Sequence, residues 1–256
     1  MTSALPPDES APPGPVLVLV HGPLTGLLTW SLVASALWEA GIDVIVPGLH
    51  DDPSDPRPCW EQHVEAVAAS VGQLSEEEAV VLVGHSGAGV LLPAIGAAVA
   101  QPVAGYVFVD ADLPRDGASR LDAFPSEEAR AAFRARAVDG MIPPFDEALL
   151  RPLIPDPRVR AEFRAELRSV PLTVYEEPIP VPPAWPDAPC AYLAFRGSAP
   201  IYAAAIEEAR RDGWPLARLD GAHFHLLVDP EAVAEALLDL VDALLDGDEA
   251  APDPAQ

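Results

Sequence analysis

The chain has 256 residues, half of them apolar, which suits one domain with a single core and a modest insertion. Fifteen cations, all Arg, stand against forty Asp and Glu, a formal charge of −25. That field repels phosphate backbones and anionic lipid, so nucleic acid and membranes are excluded as expected partners, and a small molecule is left; oligomeric state is not legible.

Residues 1–14 are Pro-rich and acidic, with little to bury, and are expected to be disordered. They carry no cation and no apolar stretch of the kind a secretory leader has, so the cytoplasm is the expected compartment. Val16–Val20 (VLVLV) predicts a buried strand, followed by His21, Gly22 and Pro23. A helix is expected over Leu28–Ala40, closed by Gly41, and then a strand over Val44–Val46. His50, Asp51 and Asp52 follow in what reads as a polar turn; with no second ligand cluster, no metal is expected there. Trp60–Leu74 has helical periodicity, and Ala79–Val83 begins the next strand.

Strand-like runs recur at Val103–Val109 and Cys190–Phe195, a shorter one lies over Trp214–Leu219, and an amphipathic helix over Pro230–Leu245 is capped by Asp229. This alternation predicts a mostly parallel sheet with crossover helices. Between Leu113 and Asp187 the strand signals give way to Ala/Arg/Glu-rich helical segments, an inserted helical cap in an α/β core of 15–112 and 188–246. Its aromatic residues include Phe145, Tyr175 and Trp185, candidates for a pocket wall together with Trp30 and His225. Of Glu176 and Glu177, at most one can face a pocket. Cys59 and Cys190, far apart, read as free thiols, and the tail from Gly247 as disordered.

The chemistry concentrates in VVLVGHSGAG, Val80–Gly89, where an apolar strand runs straight into Gly84, His85, Ser86, Gly87 and Ala88. A nucleophile elbow needs that order, because the serine must stand on a strained turn flanked by small residues. Near the other end, His223 follows a short strand and precedes the terminal helix, where an imidazole can reach across the end of a sheet; His225 competes with it.

With these motifs the chain resembles the α/β-hydrolases over nearly all of Val16–Leu245, and the resemblance implies that fold, a catalytic triad and no cofactor. Ser86 would be the nucleophile and His223 the base. Many members carry the acid after the strand that follows the cap, but here that strand runs into FRGSAPIY, with no carboxylate before Glu207. A subset that includes some haloalkane dehalogenases places it at the end of the strand after the nucleophile helix. YVFVDADLP offers Asp110 at that place, 24 positions beyond Ser86, with Asp112 in reserve.

The oxyanion hole would use the Gly87 N–H and a second N–H from the loop after His21-Gly22. Most members use the residue where this chain has Pro23, which has no N–H, so Leu24 is the expected substitute. The implied function is hydrolysis of a carboxylic ester, thioester or lactone of a medium-sized apolar molecule through an acyl-enzyme. The alternatives are a lyase that uses the triad as a base and a non-catalytic receptor on the same fold.

Overall fold

The computed structural model describes residues 14–52 and 54–249. Its centre is a six-stranded parallel sheet in the order β2-β1-β3-β4-β7-β8, built from β1 (Val16–Val20), β2 (Val44–Ile45), β3 (Val80–His85), β4 (Val103–Val109), β7 (Cys190–Phe195) and β8 (Leu216–Leu219). Alternate residues of each strand enter opposite cores. Val16, Val18, Leu82, Phe108 and Tyr192 meet α2 (Cys59–Val71), α3 (Leu92–Ala98) and α8 (Ala203–Arg211) on one face. Leu17, Leu19, Val81, Val107 and Leu193 meet α1 (Leu28–Glu39) and α9 (Pro230–Glu249) on the other. Burial on both faces is why these strands read as unbroken apolar runs.

Residues 113–187 add no strand to this sheet. They form a 3-10 turn (Arg120–Ala123), then α4 (Glu127–Arg134), β5 (Met141–Ile142), α5 (Glu147–Leu153), α6 (Pro157–Glu166), β6 (Val170–Pro171) and α7 (Thr173–Glu176). Ser126, Asp146 and Asp156 cap α4, α5 and α6 by accepting first-turn N–H bonds. The antiparallel β5–β6 ribbon was not expected. At two residues per strand it is too short for alternation to show.

The excursion grips the core through two apolar clusters. One joins Leu24 and Cys59 to Leu121, Phe133, Ile142 and Tyr175; the other joins Phe224 and Leu227 to Leu150, Ile154 and Phe163. Polar contacts add to them: α1, for instance, has no side-chain cap of its own, and Glu166 Oε2 accepts the Leu28 N–H at 2.8 Å.

Several boundaries differ from expectation. β3 runs two residues past Val83, to His85, and the segment after it begins as a 3-10 turn (Ser86–Leu91) before α3. α9 continues to Glu249, past the expected tail start at Gly247. The expectation of disorder at residues 1–13 and 250–256 lies outside the described residues. Both cysteines are free and buried. No helix among the described residues is long and apolar enough to cross a membrane.

Candidate active site

Ser86 leaves β3 with φ of 58°, a left-handed conformation costing a non-glycine residue roughly 1–2 kcal/mol. Small neighbours permit that turn. A Cβ on Gly84 would press on Leu92 at 3.1 Å, and one on Gly89 would lie 2.3 Å from the Asp112 carbonyl oxygen. Ala88, fully buried, occupies the expected small position, but the backbone-to-backbone approach falls at Gly89.

Asp110 directly follows β4, the strand beside β3, and is also left-handed, with φ of 44°. Its carboxylate is buried and held on both oxygens. Oδ1 accepts the Phe195 N–H at 3.2 Å; Oδ2 accepts the Ser198 hydroxyl at 2.6 Å and the His223 Nδ1–H at 2.8 Å. The other imidazole nitrogen of His223, Nε2, lies 3.0 Å from Ser86 Oγ. Serine, histidine and Asp110 thus form one hydrogen-bonded chain, and the imidazole turns to Asp110 rather than to Asp112. Asp112 sits beside this chain with its carboxyl pushed up to about 6, chiefly by burial and further by the Asp110 charge.

His85 supports the imidazole from beneath. Its ring stacks on His223 at 4.5 Å between centroids, and its Nε2–H donates to the His223 carbonyl at 2.9 Å. Burial, and then the neighbouring His223, hold His85 well below the usual histidine range, so it supports the site as a neutral ring.

The loop after β1 lies against Ser86. A Cβ on Gly22 would stand 3.2 Å from Ser86 Cβ and 3.5 Å from the Gly87 nitrogen, so a side chain there would crowd the Gly87 N–H. His21 anchors the loop: its Nδ1–H donates to the Gly22 carbonyl at 3.0 Å, and burial lowers its pKa to about 4. Leu24 adopts φ of 66° and buries its side chain among the apolar residues of the excursion. Beyond the loop opens a cavity of about 270 Å³, whose walls include Pro23, Leu24, His50, Asp51 and Arg168. Ser86 does not line it; the loop separates the two.

Behind Gly87 lies Arg120, wholly buried. Its Nε donates to the Gly87 carbonyl at 2.9 Å and its Nη1 to the Val174 carbonyl at 2.6 Å, while Nη2 has no partner among the described residues.

The expected pocket residues are placed differently. Trp30 is fully buried with Val33, Ala34 and Leu37 in the core on the α1 and α9 side of the sheet, edge-on to His85. Trp185 packs edge-on against Tyr106 at 4.7 Å, away from the strand ends beside Ser86 and Asp110. His225 lies over Gly221, edge-on to Phe195 at 5.5 Å, because the 3-10 turn at His225–Leu227 rotates it beneath the sheet's end. Phe145 meets Phe224 at 5.8 Å and Tyr175 meets Phe133 at 4.5 Å, so both are packing residues one layer behind the cavity wall. Glu176 pairs with Arg134, and Glu177 accepts the Trp60 N–H. His63 Nε2 meets Asp51 at 2.8 Å, and among the described residues no three His, Cys, Asp or Glu converge as a metal set.

Four residues escaped the sequence reading: His85, Arg120, Ser198 and Tyr202. Ser198 and Tyr202 had a signal, since FRGSAPIY occupies the loop where the acid is more often carried. Arg120 had none, because its partners are backbone carbonyls remote in sequence.

A six-stranded parallel sheet in this order, with a serine on a left-handed turn between strand and helix, defines an enzyme of the α/β-hydrolase fold. Residues 17–236 match the model of the alpha/beta hydrolase family, so the chain belongs to that family and is a hydrolase. It is 28% identical over 177 residues, 63% of this chain and 72% of the other, to a carbendazim hydrolyzing esterase of Nocardioides sp. (strain SG-4G). Two solved structures share the fold, each 22% identical. An extracellular alpha/beta-hydrolase from a Paenibacillus species superposes with a TM-score of 0.72, over 88% of this chain and 98% of its own. A pyrethroid hydrolase from Sphingobium faniae JZ-2 does so with 0.67, over 91% and 99%.

Proposed function

We propose that the enzyme hydrolyses carboxylic esters of small molecules through an acyl-enzyme formed on Ser86. The observation that carries this reading is the unbroken chain from Ser86 Oγ through His223 to Asp110, at 3.0 and 2.8 Å. Ser86 Oγ attacks the carbonyl carbon as its proton passes to His223 Nε2, and the Gly87 N–H donates to the oxygen that gains charge. The imidazolium returns that proton to the departing alcohol. Water then enters and gives a proton to Nε2 as its oxygen bonds to the acyl carbon, and Nε2 passes that proton to Ser86 Oγ as the acyl bond breaks, releasing the carboxylic acid. Asp110 fixes the imidazole with Nε2 toward the serine throughout.

The esterase and pyrethroid hydrolase among the similar proteins support the ester class. Thioesters and lactones follow the same steps.

The test is labelling with a fluorophosphonate probe, read by intact mass, with p-nitrophenyl butyrate turnover alongside. One adduct, absent in Ser86→Ala, together with measurable hydrolysis, is the expected result. A wild-type protein that neither labels nor turns over would overturn the reading.

A further inference from the structure

Tyr202 closes the loop after β7, directly before α8, and takes no part in the three-residue chain. Its ring is nearly buried and stacks on His223 with 5.6 Å between centroids and 23° between planes. Its hydroxyl reaches to 3.4 Å from Ser86 Oγ.

The proton count around Oγ fixes what that hydroxyl does. His223 spends its Nδ1 proton on Asp110, so its Nε2 accepts the single proton of Ser86. Oγ then has only acceptor capacity left for Tyr202, and the phenol must donate. It keeps its proton to do so: burial, and then the charges of Asp112 and Asp110, push the phenol well above the usual tyrosine range.

Beside Gly87 the loop after β1 presents Pro23, whose Cδ a Cβ on Gly87 would meet at 3.1 Å and which has no N–H to offer. When Oγ bonds to the ester carbon, the other oxygens on that carbon come within reach of a group already this close to Oγ.

We propose that Tyr202 is a catalytic residue, whose phenolic hydroxyl donates a hydrogen bond to the oxygen gaining charge on the ester carbon and adds to the Gly87 N–H a donor that Pro23 cannot give. This rests on the acyl-enzyme reading. No bond to Tyr202 forms or breaks, and its proton remains on the phenol throughout.

Tyr202→Phe keeps the ring, its stacking and its burial, and deletes only the hydroxyl. The expected result is a fall of roughly ten- to a hundredfold in kcat on p-nitrophenyl butyrate, with KM little changed and the melting temperature held. Pro23→Ala, which supplies an N–H on the other side, should recover part of that loss in the double variant. Wild-type kcat in Tyr202→Phe, a loss confined to KM, or a loss matched by a falling melting temperature would overturn the proposal. Failure of the parent reading looks different, because the wild type itself would then neither label nor turn over.

Discussion

Arg120 donates from Nε to the Gly87 carbonyl at 2.9 Å, so a cation from residues 113–187 is tied to the residue that follows Ser86. Arg120→Met leaves the Gly87 and Val174 carbonyls without these donors and removes a costly buried charge. The balance is a loss of about 1–3 kcal/mol in stability, read from urea unfolding, with slower fluorophosphonate labelling. Arg120→Lys, able to keep one of the two bonds, should fall between. Full labelling speed in Arg120→Met would show that the Gly87 peptide holds its place unaided.

For the base, His223→Ala should lower kcat by several powers of ten, while His225→Ala should act on stability, since its ring packs on Gly221 and Phe195. Parallel steady-state kinetics and melting curves separate the two. A larger kinetic loss in His225→Ala would reverse the assignment.

The acid can be tested by moving it. Asp110→Asn should cost roughly a thousandfold or more in kcat by freeing the imidazole tautomer. Ser198 Oγ lies 2.6 Å from Asp110 Oδ2, so adding Ser198→Asp brings a carboxylate back to that neighbourhood and should restore part of the rate. No gain in the double variant would mean that only the β4 end offers a productive geometry.

Stability should rise with pH between about 4 and 6.5. Buried His21 is neutral in the folded protein down to about 4 and ordinary once unfolded, so its contribution is complete above about 6.5 and fades as pH falls toward 4. The contribution is on the order of 3 kcal/mol. His85 acts in the same direction. Asp112, raised from 3.8 to about 6, opposes them, because the folded state holds its proton across that range. Urea midpoints across the window should therefore climb, and Asp112→Asn should steepen the climb. A flat profile in Asp112→Asn would show that the two histidines are not buried neutral.

β1, β4 and β7 were legible to the residue because sheet burial on both faces leaves a continuous apolar signal. That Ser86, Asp110 and His223 would meet was legible from the strand-turn-helix signal around Ser86 and from the resemblance to the α/β-hydrolases, which implied Asp110 and His223. Trp30 was misread although Trp30, Val33, Ala34 and Leu37 share one helical face, a spacing that already pointed inward. Tyr202 and Arg120 depend on contacts across 116 and 33 residues respectively, which no local pattern encodes.

The last paired residues of β3 and β4 are His85 and Val109, and Ser86 and Asp110 come directly after them. Ser86 and Asp110 are therefore seated on one hydrogen-bonded ladder, whereas His223 arrives on a separate loop, steadied by its carbonyl bond to His85. On warming, the two seats hold as long as the sheet does, but the imidazole needs only its loop to loosen. Heat would then silence the enzyme reversibly before it melts, and stiffening residues 220–224 would extend its working temperature without any change to the sheet.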